Sequence, residues 1–125
     1  MLVEFMRLRK PTIAEQRLLS TLVSKATSLI LPVNWNETLQ VQSMDDGEMG
    51  SLQLFPQGLV TENRTFGETV SECQFTDADG TQVLASLNTD QNGDLFELDV
   101  WKTNFSKLIQ IPEILDEKKI DRRQI

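Results

Sequence analysis

Three alternating runs joined by two short turns constrain this chain more than any other feature. Residues 69–76, 81–88 and 95–102 alternate apolar with polar side chains, the pattern of strands that bury one face. Asp77-Ala78-Asp79-Gly80 and Asp90-Gln91-Asn92-Gly93-Asp94 separate them. Each turn holds a glycine, which accepts the positive φ that tight turns need. Connections this short force neighbouring strands to run antiparallel.

The same pattern extends upstream. Residues 39–44 read as a strand, 45–50 as a turn rich in glycine and aspartate, and 51–55 as the returning strand. Pro56, Gly58, Asn63 and Gly67 mark a looser connection, with a short strand expected at residues 58–60. Before residue 39 the period is helical. Pro11 and Thr12 open a helix, and Thr12-Ile13-Ala14-Glu15 has capping-box form. Ile13, Leu18, Leu19, Leu22, Val23 and Ala26 form its apolar stripe, leaving Glu15, Arg17 and Lys25 for solvent. Pro32 limits its extension. Residues 112–119 suggest a short C-terminal helix, and residues 121–125 are expected to fray. The expectation is one α+β domain over residues 1–125: an antiparallel β-meander of five strands packed against an N-terminal amphipathic helix.

Composition excludes whole classes of function. The 125 residues contain no histidine, which removes the commonest general base and metal ligand, and with it any Ser-His-Asp or Cys-His arrangement. Net charge is −7, and residues 41–101 concentrate it: Arg64 stands there against twelve carboxylates. Such a segment repels phosphate backbones and attracts a basic partner, so no nucleic-acid partner is expected. No stretch approaches the ~20 apolar residues of a membrane helix. The first ten residues lack signal-peptide form, because charges interrupt their apolar stretch and the basic cluster follows it. Met6 is a candidate alternative start. With a single cysteine, the chain is expected to be soluble and cytoplasmic.

The remaining chemistry-bearing groups have plain structural readings. Cys73 shares a strand face with Phe75 and has no basic neighbour in sequence, as in a buried structural thiol. Counted from Asp90, the sixth and twelfth positions of an EF-hand hold Leu95 and Trp101 where glycine and glutamate are required. No metal and no cofactor are therefore expected. Glu97 and Asp99 lie two apart, so both leave one strand face, with Trp101 following on it while Phe96, Leu98 and Val100 point the other way. Paired carboxylates can hydrolyse glycosides, but a solvated sheet face explains these more simply. Charge beside an aromatic anchor suits protein recognition. Asp45, Asp46 and Glu48 in one turn, and Asp90 and Asp94 in another, are candidates for a rim around Glu97, Asp99 and Trp101. Trp101 could equally pack beneath the C-terminal segment.

Two stretches carry a resemblance: Met44-Asp45-Asp46-Gly47-Glu48-Met49-Gly50-Ser51-Leu52, and Leu87-Asn88-Thr89-Asp90-Gln91-Asn92-Gly93-Asp94-Leu95-Phe96-Glu97-Leu98-Asp99-Val100-Trp101-Lys102. With Arg7-Leu8-Arg9-Lys10-Pro11-Thr12 before the helix, the chain resembles, over residues 7–105, a family of small bacterial domains of unknown function. Those domains look like immunity proteins of toxin systems, including contact-dependent growth inhibition. The resemblance implies a cognate toxin domain as partner, basic and of nuclease type, met through the acidic residues above. A regulatory or housekeeping interaction module without a toxin is the second expectation, and a ligand binder or enzyme using Glu97 and Asp99 the third.

Overall fold

The computed structural model describes residues 7–115. Helix α1 spans Ile13–Lys25, and its start is a complete capping box. Thr12 Oγ1 accepts from the Glu15 amide at 3.1 Å, and Glu15 Oε1 accepts from the Thr12 amide at 2.8 Å. Leu18, Leu19 and Leu22 are fully buried. Three residues of the expected stripe and polar face behave differently. Ile13, in the first turn, is 75% exposed. Glu15 is half-buried and clamps Arg9 in a bidentate pair at 2.7 and 3.0 Å. Burial alone would raise the Glu15 carboxyl; Arg9 and the Thr12 amide outweigh it and hold it below its ordinary value. Arg17 is half-buried and donates to the Pro112 carbonyl.

A one-turn helix α2 (Trp35–Thr38) leads into a five-stranded antiparallel sheet: β1 (Gln40–Ser43), β2 (Leu52–Phe55), β3 (Phe66–Thr76), β4 (Gln82–Asp90) and β5 (Leu95–Lys102). The spatial order is β1-β2-β5-β4-β3. The meander proper is β3-β4-β5, and the β1-β2 hairpin joins it along β5. Residues between β2 and β3 therefore cross one end of the sheet to reach its far edge. Residues 58–60 form no strand on this path; a 3-10 turn at Pro56–Gly58 replaces it. Arg64 and Gln91 fasten the crossing. Gln91 exchanges bonds with Thr65 and donates to the Asn63 carbonyl, and Arg64 donates to the carbonyls of Leu54 and Leu95.

One sheet face packs on α1. Its rows run Leu52-Leu98-Leu87 and Val100-Ala85-Cys73, and these residues are buried. Residues beyond β5 return over the same side, where Ile111 enters the core and Leu108 packs against it. Of the segment expected to be a C-terminal helix, residues 112–115 hold only a bend, and the rest lies outside the described residues, as does the segment expected to fray. The edge strand β1 is covered by the N-terminal segment, where Arg9 and Val41 exchange backbone bonds at 2.9 and 2.7 Å.

Candidate protein-binding surface

The face opposite α1 is built from three rows of side chains. The register aligns Gln42, Gln53, Glu97, Asn88 and Thr69 across all five strands. Asp99, Ser86 and Glu72 form the next row, and Trp101, Leu84 and Gln74 the third. These positions hold three carboxylates and no cation. Glu97, Asp99 and Trp101 thus share one open face, because opposed residues in antiparallel strands project to the same side.

Hydrogen bonds set the carboxylates. Thr69 Oγ1 donates to Asn88 Oδ1 at 2.7 Å, which fixes the amide so that Asn88 Nδ2 donates to Asp99 Oδ2 at 2.8 Å. Ser86 donates to Glu72 at 3.1 Å. Glu97 accepts no hydrogen bond among the described residues. Burial and then Asp99 push its carboxyl above its ordinary value, with Arg64 partly opposing them. Trp101 is 44% exposed, and Phe105 meets it edge-on with ring centroids 6.0 Å apart. Phe105 holds a φ of 61°, uncommon for a bulky residue. Trp101 therefore does not lie beneath residues 106–115.

Phe96 departs from the expected inward set. A bulge lies where β4 meets the start of β5, so Leu95 takes the core position and Phe96 stays half-buried. The Arg64 guanidinium sits 5.0 Å from the centre of its ring.

The two candidate turns occupy opposite ends of the sheet. Asp45, Asp46 and Glu48 lie near the end of β5, while Asp90 and Asp94 lie at its start. Asp45 is exposed. Asp46 is engaged structurally, its two oxygens accepting from the amides of Met49 and Ser51. Glu48 pairs with Lys107 at 2.8 Å on the surface. Asp90 is buried, pairs with Arg64 at 2.9 Å, and accepts from the amides of Asn92 and Asp94. Burial would raise its carboxyl, but Arg64 and these amides hold it below its ordinary value. Asp90 is thus a turn-building residue, and Asp94 is the exposed member of its pair. No single surface gathers all eight residues; Glu97, Asp99 and Trp101 form the contiguous part.

Cys73 is buried in the α1-facing layer, and burial pushes its thiol up, with Lys25 only partly opposing. A thiol held protonated in the core is a packing group. Among the described residues, no group of three or more aspartate, glutamate or cysteine side chains is arranged to hold a metal ion. No described helix is long and apolar enough to cross a membrane.

Sequence reasoning missed two charged clusters. Lys102 points to the α1 side of β5, fully buried, with its ammonium 2.8 Å from Asp77 and 2.7 Å from Asp79. Its third bond goes to the Lys107 carbonyl at 3.0 Å. The parity that buries Leu98 and Val100 places Lys102 inward too, and that was its signal. The second cluster is Arg64 with Asp90, signalled by a solitary cation in an acidic segment.

A helix on one face of an antiparallel five-stranded sheet, with a carboxylate and aromatic surface on the other, defines an α+β domain. The chain belongs to the family described as a domain of unknown function (DUF6984), whose profile matches residues 8–112. No curated protein and no solved structure matches it.

Proposed function

We propose that this domain works by binding a protein, and that its partner is a basic bacterial toxin domain of nuclease type, which it neutralises as an immunity protein in the cytoplasm. One observation carries the reading: Glu97, Asp99 and Trp101 project together from a sheet face whose aligned rows contain no cation. A basic cleft evolved for phosphates is attracted to such a surface, and steering of this kind raises association rates. Trp101 supplies the apolar anchor that charge lacks, since interface hot spots favour aromatic residues. The fixed Asp99 and the strained Phe105 give the face a defined shape, and shape is what separates one partner from other basic proteins. The resemblance over residues 7–105 supports the same class of partner.

The test is co-expression with the polypeptide encoded immediately upstream, followed by affinity purification of this chain. A stoichiometric complex that loses its toxin on Glu97→Lys/Asp99→Lys substitution supports the proposal. A complex of unchanged affinity would move the interface elsewhere, and recovery of the chain alone would remove that toxin as its partner.

A further inference from the structure

A second site lies at the end of the sheet crossed by residues 56–65. There a cleft of about 290 Å³ opens between the segment around Trp35, the crossing itself and the Asp90–Asp94 turn. Leu31, Trp35, Leu39 and Leu95 supply apolar lining. Ile30 and Leu59, also lining residues, are 94% and 60% exposed, an apolar rim left to solvent.

Thr38, Gln57, Thr61, Gln91 and Asn92 give the cleft neutral polar groups, and its charged lining divides into a neutralised part and an acidic part. Arg64 and Asp90 pair with each other at 2.9 Å, and Arg64 spends further donors on the Leu54 and Leu95 carbonyls. Its charge is thereby matched inside the protein. Glu62 and Asp94 line the same cleft, are exposed, and pair with no cation among the described residues. An occupant therefore meets apolar walls and two uncompensated carboxylates. The volume of about 290 Å³ lies at the small end of the roughly 300–1,000 Å³ range of ligand clefts, which is room for one or two side chains.

We infer that this cleft is a peptide-docking site, taking a segment that presents a large apolar side chain beside lysine or arginine. The apolar side chain lies against Trp35 and Leu31, and its basic neighbour meets Glu62 and Asp94. This site is distinct from the Glu97–Trp101 face and does not depend on it.

The chain's two tryptophans make the test direct. In the Trp101→Phe protein, emission reports on Trp35 alone. A random heptapeptide phage library is selected on the full chain, and enriched peptides are synthesised and titrated against the Trp101→Phe variant. The expected peptides pair a large apolar residue with lysine or arginine and shift Trp35 emission saturably. They should bind about tenfold or more weakly to Glu62→Lys/Asp94→Lys protein, a loss of about 1.4 kcal/mol. They should bind unchanged to Glu97→Lys/Asp99→Lys protein. Absence of enrichment, enrichment of acidic peptides, or binding that ignores the Glu62 and Asp94 reversals would overturn the inference. Loss of binding on the Glu97 and Asp99 reversals alone would place the peptides on the outer face and overturn it equally.

Discussion

Lys102 and Asp77 meet 2.8 Å apart with neither side chain exposed to solvent. The lysine ends β5, and the aspartate opens the β3-β4 turn. Asp77 also accepts from the amides of Ile109 and Gln110 at 2.8 and 2.9 Å, so one carboxylate ties turn, strand and returning C-terminal segment together. Removing one partner of a buried pair leaves the other charged and unmatched, which costs more than the pair itself contributes. Lys102→Ala should therefore destabilise the fold far more than Lys107→Ala, which breaks only the exposed pair with Glu48. Thermal melts of the two variants against the parent check the ranking; equal melting temperatures would discount the Lys102 cluster.

The same carboxylate should govern acid stability. Burial would raise Asp77, but the Lys102 bond and three backbone amides lower it from 3.8 to about 2. The folded state thus binds fewer protons than the unfolded chain across that interval. The stability Asp77 contributes is complete above 3.8 and is lost as pH falls toward 2. Urea midpoints measured across this window should fall for the parent and show a shallower slope for Asp77→Asn, which is expected to be less stable at neutral pH.

Two glycines separate steric need from conformational need. A Cβ on Gly67 would stand 2.1 Å from the Asp90 carbonyl oxygen, so the backbones of β3 and β4 must part to admit it. Gly67→Ala should cost at the upper end of the ~1–3 kcal/mol typical of overpacking. Gly80 has open space around it but a φ of +84°, so Gly80→Ala should cost only the ~1–2 kcal/mol of a left-handed backbone. Because Gly67 abuts Asp90, its substitution should also loosen the cleft. Chemical denaturation of both variants gives the comparison.

Much of this fold is legible in the residues because alternation and turn chemistry are local. The strand at Leu95–Lys102 has the bounds its pattern predicts, and the capping box at Thr12 forms as written. Pairing between β2 and β5 is different in kind. Alternation tells a strand which face it buries, and says nothing of its neighbour when the connection is long and irregular. The open face was legible for the same reason as the strands, since Glu97, Asp99 and Trp101 share parity. The cleft was not, because a helical period read before residue 39 does not say where residues 30–38 lie, and its walls meet only after residues 56–65 cross the sheet end. Asp90 reads as one more surface carboxylate until Arg64 is folded onto it.

The cap on α1 offers a test of the helix's independence from the sheet. Thr12→Ala removes the hydroxyl that accepts from the Glu15 amide, and should cost about 0.5–2 kcal/mol. Glu15→Gln should cost more than an exposed charge neutralisation, because it also weakens the bidentate grip on Arg9 that holds the N-terminal segment over β1. Hydrogen exchange at Arg9 and Val41 should speed up in Glu15→Gln; protection equal to the parent's would uncouple the helix cap from the strand edge.

Glu97 links the folded state's energetics to the proposed interface. Burial and the neighbouring Asp99 raise its carboxyl, so the folded protein holds that proton more tightly than the unfolded chain does. Its stabilising share is complete below the ordinary value of 4.5 and fades as pH rises through the raised folded value. At neutral pH the ionised Glu97 is a liability, kept small by solvent screening. Glu97→Gln should accordingly raise the melting temperature slightly at pH 7. The same substitution should slow association with a basic toxin domain and flatten the salt dependence of the rate, because a steering charge has gone. A group that costs stability while aiding binding would be the trade-off expected at a functional surface. Stopped-flow rates and melting curves on one pair of proteins test both halves. A variant that is no more stable and binds as fast as the parent would leave Glu97 with neither role.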